Sequence, residues 1–292
     1  MAGKRDAASG VEKARQRTGG VGSVGAMYTR TFSTLGCGEL SLDEVIALGA
    51  RHGLAQFEVR ALGGSLDLPA YLAASFGSPA SLAAKLSAAG AAIVALDTSF
   101  RLIDGSEEER ARLLAFVPWA EALGVRWLRV FDGGTTLDTA ALARAAETLR
   151  GWQSLRRERG WAVDWMIETH DTLWDAERLT RFLAAMPPDS VRLLWDTHHT
   201  WKRGGEEPRA TWRAIAPHVV HVHVKDSVSE PSGRHPFTYV LPGAGEFPMA
   251  PVRAVLAAEF SGAVSLEWER WWHPSLPPLE NALRAAEERG WW

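Results

Sequence analysis

The sequence has little of several features that would settle its class at once. A single cysteine, Cys37, excludes a disulfide within the chain, and a lone thiol fits a reducing compartment, so a cytoplasmic location is expected. No apolar run approaches the ~18 residues of a membrane span. Neither sign of charge dominates: 32 Lys and Arg stand against 35 Asp and Glu, for a net charge of −3. The charges are interspersed, with no basic stripe of the kind nucleic-acid binding uses. The opening, MAGKRDAASGVEKARQRTGGVGSVGAM, lacks the apolar stretch of a secretory signal. Rich in Gly, Ala and charge, residues 1–26 read as a disordered extension, with Met27 an alternative start, ahead of one domain over 27–292. A Gly-rich dinucleotide loop is missing too: STLGCGE follows the first apolar segment where GxGxxG would stand.

What is present is an ordinary globular balance, 46% hydrophobic and 23% charged over 292 residues, ample for a self-sufficient core. Eight short segments rich in β-branched and aromatic residues recur along the chain: TRTFST (29–34), AQFEVR (55–60), AAIVALDTS (91–99), WLRVF (127–131), VDWMIET (163–169), VRLLWDT (191–197), VVHVHVKD (219–226) and AVSLEWE (263–269). Helical patterns fill the gaps. Residues 41–52 begin with a capping box, Ser41 and Glu44, and stop at Gly53. Further helices are expected over 78–89, 106–123, 137–159, 175–186, 211–216, 248–258 and 276–289. Strand and helix alternating eight times indicate an α/β fold with a parallel sheet, and about 250 residues is the usual size of a single-domain (β/α)8 TIM barrel.

Barrel enzymes build their sites at the C-terminal strand ends. The last four strands end in Glu168, in Asp196, in His221 and His223, and in Glu267 and Glu269, with His170, His198, His199, Lys225 and Asp226 close behind. Side-chain alternation turns His221 and His223 inward together, and only His223 is near the mouth; Glu267 is inward at the rim, with Glu269 one step above it. Glu168, Asp196, His223 and Glu267 therefore form a mixed oxygen and nitrogen set for one divalent metal. Such a set suits Mn2+ first and Mg2+ or Co2+ next, with Zn2+ an alternative. Without a cation, three crowded carboxylates would repel. Arg60 and Arg129 end strands two and four, in position for substrate hydroxyls, a phosphate or a rim salt bridge. Of the 14 tryptophans, Trp195, Trp201, Trp268, Trp271 and Trp272 fall near the expected mouth, where a flat ring suits the C–H face of a sugar, although core packing is the alternative.

From about Thr29 to the end, the pieces IETH (167–170), DTHH (196–199), HVHVKD (221–226), LPGAGEFP (241–248) and SLEWE (265–269) resemble the xylose isomerase-like TIM barrel superfamily, the sugar phosphate isomerase/epimerase group. The resemblance implies metal ligation by Glu168, Asp196, His223 and Glu267, and substrate contact by His199. The ketose 3-epimerases of that family carry an Arg about six residues after the strand-seven His; Ser229 stands there, and the nearest candidate is Arg234. The HVHVKD and LPGAGEFP pieces look closer to the inosose dehydratase-like branch. Endonuclease IV, another member, needs further His ligands after strands two and three, which end here in Glu58-Val59-Arg60 and Asp97-Thr98-Ser99; DNA repair does not fit.

The function implied is a divalent-metal-dependent sugar isomerase or epimerase working through an enediolate. Glu168 and Glu267 act as paired acid and base, and His170, His199, Lys225, Arg234, Arg60 and Glu269 bind substrate. A lyase or dehydratase acting on a keto-sugar, keto-glycoside or inosose is the first alternative. A non-catalytic sugar-binding or scaffold subunit is the second. The expected partner is a small carbohydrate, not a nucleic acid or a membrane. A homodimer or tetramer is the expected assembly, and Trp291 and Trp292 either cover apolar surface at its interface or close the barrel bottom.

Overall fold

The eight apolar segments become the strands of one parallel sheet in the computed structural model, which describes residues 28–292. The expected extension over 1–26, and Met27, lie outside the described residues. The strands are β1 (Thr29–Phe32), β2 (Gln56–Val59), β3 (Ala92–Arg101), β4 (Trp127–Phe131), β5 (Asp164–Glu168), β6 (Leu193–Asp196) and β7 (Val219–Val224). A two-stranded hairpin, β8 (Asp226–Val228) and β9 (Thr238–Val240), precedes the eighth barrel strand, β10 (Ala263–Leu266). The order β1-β10-β7-β6-β5-β4-β3-β2 winds once around, and the parallel bridge Ser33–Glu58 joins the two outer strands. The described residues form a single (β/α)8 barrel, as the periodicity predicts.

Helix boundaries follow local chemistry. In α1 (Leu42–Arg51) the capping box forms as the sequence indicates, Ser41 and Glu44 each serving the other's backbone N–H, a feature worth about 1 kcal/mol. Next come α2 (Leu68–Phe76), which the periodicity does not announce, and α3 (Pro79–Ala88). The helix expected over 106–123 is two helices, α4 (Glu107–Leu114) and α5 (Val117–Leu123). Pro118 has no N–H to bond back to Leu114, so an unbroken helix cannot run through it. The rest are α6 (Thr139–Arg159), α7 (Ala176–Ala185), α8 (Thr197–Lys202), α9 (Pro208–Ile215), α10 (Met249–Glu259) and α11 (Leu279–Glu288).

Alternation along the strands divides the interior. Outward residues such as Phe57, Leu96, Leu128, Trp195 and Trp268 are buried beneath the helices in the main core. Within the lumen, Ala95, Met166 and Leu194 make a separate apolar layer. Two residues further along the same strands stand Asp97, Glu168 and Asp196, all buried, so the lumen changes from apolar to charged within one alternation step. Trp195 and Trp268 therefore do not reach the mouth: each neighbours an inward carboxylate and must face the helices, Trp195 donating to Thr200 and Trp268 to the Pro277 carbonyl. Trp291 and Trp292 are buried within the chain itself.

Candidate metal centre and substrate cavity

Glu168, Asp196, His223 and Glu267 come from the ends of four adjacent strands, and each offers one ligand atom within 4.8 Å of the others. The register explains the convergence: Asp196 pairs with His223 across β6 and β7, and His223 with Ser265 across β7 and β10, leaving Glu267 one alternation step beyond. His223 Nδ1 stands 3.6 Å from Glu168 Oε1, 3.9 Å from Asp196 Oδ2 and 3.3 Å from Glu267 Oε2. Glu168 Oε2 and His223 Nδ1 are buried without a hydrogen bond, and Asp196 Oδ2 faces the Lys225 ammonium at 2.8 Å. Such orphans are rare in a folded protein. Two of them, on two of four converging ligands, fit a small cation held at that point.

Glu58 is the functional residue that sequence reasoning did not assign. Fully buried in β2, it reaches across the lumen to His223 Nε2 at 3.0 and 2.9 Å and to His221 Nε2 at 2.6 Å. With Nε2 engaged, His223 turns Nδ1 toward the three carboxylates, the arrangement in which an outer carboxylate fixes a metal-binding imidazole. The signal lay in the alternation of β2, which turns Glu58 inward with Arg60, but its partners stand on the far side of the barrel. Burial opposes charge on His223, but Glu267, Glu58 and Glu168 outweigh it and raise its pKa well above the usual imidazole value. Burial likewise pushes Glu168 and Glu267 up, yet Arg129 and His223 hold Glu168 below the usual carboxylate range, and His223 with Lys225 holds Glu267 well below it. Burial and the charge of Glu58 push Asp97 well above the ordinary range.

Lys225 is not in the cavity wall. Its ammonium is buried 2.8 Å from Asp196 Oδ2 and 2.8 Å from Glu269 Oε1, in contact with Glu267 Oε2, and Tyr239 donates to the same Glu269 oxygen at 3.1 Å. It therefore neutralises carboxylates behind the site. The other residues expected to meet substrate, Arg60, His170, His199, Arg234 and Glu269, all line one cavity of ≈ 320 Å3 whose floor includes Glu168 and Glu267. Arg129, Phe131, His235, Trp272 and His273 line it as well; of the five mouth tryptophans proposed, Trp272 alone does so.

Two unforeseen elements shape that cavity. The short α8 starts directly at Asp196, whose Oδ1 accepts from the His199 N–H at 2.8 Å, which leaves Oδ2 for the centre. His199 Nδ1 lies 3.0 Å from the Thr169 carbonyl, which accepts and so fixes the proton on Nδ1, leaving a bare Nε2. Burial and the nearby Lys225 charge lower its pKa to about 3. Beside it, at 4.9 Å between ring centres, His170 is raised to about 9: burial opposes its charge, but Asp171 and Glu168 outweigh that. His198, by contrast, points into aromatic packing and meets Ser227 Oγ at 2.8 Å. The β8–β9 hairpin brings Arg234 and His235 over the cavity. Its return loop, LPGAGEFP, is gathered by Asp226, whose carboxylate accepts from the N–H groups of Ser227, Gly243, Gly245 and Phe247.

Among solved structures, a probable 3-DHS dehydratase, AsbF, from Bacillus anthracis superposes with a TM-score of 0.72 at 15% identity, covering 89% of this chain and 99% of that one. The IOLI protein with a binding zinc atom gives 0.66 at 18% identity, covering 90% and 96%. A xylose isomerase domain protein from Planctomyces limnophilus gives 0.65 at 17%, covering 91% and 95%. At these identities the likeness is one of fold. No curated protein sequence matches the chain. Residues 46–292, nearly the whole barrel, match the family described as xylose isomerase-like TIM barrel, and the chain belongs to that family.

Proposed function

We propose that the protein is a divalent-metal-dependent sugar isomerase or epimerase whose metal is held by Glu168, Asp196, His223 and Glu267. The observation that carries this reading is the convergence of four buried ligand residues beside a cavity, two of them with a ligand atom that has no hydrogen bond. The oxygen and nitrogen donors suit Mn2+, with Mg2+, Co2+ or Zn2+ as alternatives. When bound, the ion supplies Lewis acidity toward a substrate carbonyl or hydroxyl pair. Glu168 and Glu267 both border the cavity as ionised carboxylates; one takes the proton from the carbon beside the carbonyl and the other returns one to the resulting enediolate. Lys225 keeps Glu267 ionised from behind. His199 presents Nε2 as an acceptor for a substrate hydroxyl, since Nδ1 is committed to Thr169.

A second reading, a lyase or dehydratase expelling a β-hydroxyl, draws on His170 and His199. Neighbouring imidazoles driven to about 9 and about 3 form a ready acid and a neutral partner, the separation that marks acid and base roles. The buried Cys37 thiol agrees with a cytoplasmic setting for either reading. Metal analysis of the purified protein, followed by turnover of ketoses with and without EDTA, tests the proposal. A bound divalent ion with EDTA-sensitive epimer formation supports it; product formed with loss of water selects the lyase; a chain with neither metal nor turnover leaves the scaffold reading.

A further inference from the structure

Two guanidiniums stand in the cavity wall with donors to spare. Arg60 is 5% exposed and Arg129 2%. Arg60 spends Nη2 on the Ser99 hydroxyl at 3.0 Å, and its Nη1 is buried with no partner. Arg129 lies with its guanidinium carbon 3.9 Å from the centre of the Phe131 ring, and its Nε and Nη1 are buried without a hydrogen bond. Its nearest carboxylates, Glu168 Oε2 at 3.4 Å and Asp97 Oδ2 at 3.7 Å, approach without completing one. Burial and the neighbouring Arg129 charge lower Arg60 to about 10, so the two side chains repel. A buried charge left with unmade hydrogen bonds is costly. The other cavity carboxylate, Glu269, is already taken by Lys225 and Tyr239.

We infer that the substrate carries a carboxylate, bound between Arg60 and Arg129 beside the metal centre, so that the substrate class is a small polyhydroxy acid. Nη1 of Arg60 and Nη1 of Arg129 offer one donor group to each oxygen of a carboxylate, the Nε of Arg129 being turned to Glu168. A phosphate brings a second negative charge, which the adjacent Glu168 and Glu267 oppose. A neutral sugar would offer these donors hydroxyls but no opposite charge. This deepens the reading above and rests on it for the position of the metal.

The test is calorimetric binding of erythritol, erythronate and erythritol 4-phosphate to metal-loaded protein, in wild type and in Arg60→Gln and Arg129→Met, each checked by its melting curve. A charge-assisted contact predicts that erythronate binds about tenfold or more tighter than erythritol, and that the margin disappears in Arg60→Gln. Direct binding of the acid to the metal would leave the margin intact in both variants and would overturn the inference. So would equal binding of erythritol, or tighter binding of the phosphate ester. If Arg129→Met does not fold, Arg60→Gln decides alone, because its partner is a single hydroxyl. Metal content is measured on the same samples. A metal-free chain that keeps an arginine-dependent margin would sink the isomerase reading and leave the subsite standing; a metal-loaded chain without the margin would do the reverse.

Discussion

Strands β5, β6, β7 and β10 lead into Glu168, Asp196, His223 and Glu267, whereas β2, β3 and β4 contribute Glu58, Arg60, Asp97 and Arg129. The first half of the mouth presents three carboxylates and an imidazole that converge on one point. The second half presents two cations with spare donors and two carboxylates turned away from the cavity, one of which aims the imidazole of the other half. Both halves come from the same repeating unit with equally buried strand ends. What separates them is which charge faces the lumen, and on that difference rest the proposed cation binding on one side and the proposed orientation and anion recognition on the other.

The sharpest way to break this division is to change each half in turn. Glu168→Gln on the metal side should lower kcat by about 10²–10⁴-fold, with an unchanged circular dichroism spectrum; near-wild-type turnover would remove Glu168 from the acid–base pair. His223→Ala should lose more metal affinity than any change in the other half, read by metal titration of the stripped protein. Glu58→Gln, which touches no metal, should weaken metal binding by about 10–100-fold; an unchanged affinity would reduce Glu58 to core packing. The raised pKa of His223 sharpens the contrast further. Metal needs the neutral imidazole, so binding at neutral pH should release about one proton, and affinity should fall as pH falls. Calorimetry in two buffers of different ionisation enthalpy measures it. The sign for the metal-free protein is opposite: charged His223 contributes stability that is complete below about pH 6.5, its unfolded value, and is lost as pH rises through the raised folded value. The smallest effect belongs to the loop outside both halves. A methyl added by Gly245→Ala would meet the Asp226 carboxylate, and a loss of about 1–2 kcal/mol would lower Tm by roughly 2–8 °C.

Much of this was legible in the sequence because it is local. Position along β7 separates His223 at the mouth from His221 below it on the same face, and the repeating strand-end carboxylates mark the acceptor half. Less legible were features that depend on distant partners. Glu58 sits between Phe57 and Val59 in a pattern any inward residue could occupy, and only the closed barrel brings it to His223. Lys225 follows the strand that carries His223 and looks like a substrate contact, yet three carboxylates from other strands draw it under the floor. The six residues of α8 and the three-residue strands of the hairpin are too short to show a period. The break ahead of Pro118, by contrast, was written in the residue itself.

Glu58 and His223 are 165 residues apart, which bears on how the chain is made. At roughly 5–20 residues per second during synthesis, β2 waits on the order of ten to thirty seconds before β7 exists. Through that interval Glu58 lacks both His221 and His223, its partners in the finished barrel, whereas Arg129 already has Asp97. The centre is in this sense a seal on a finished chain: it assembles only when the last quarter of the protein arrives.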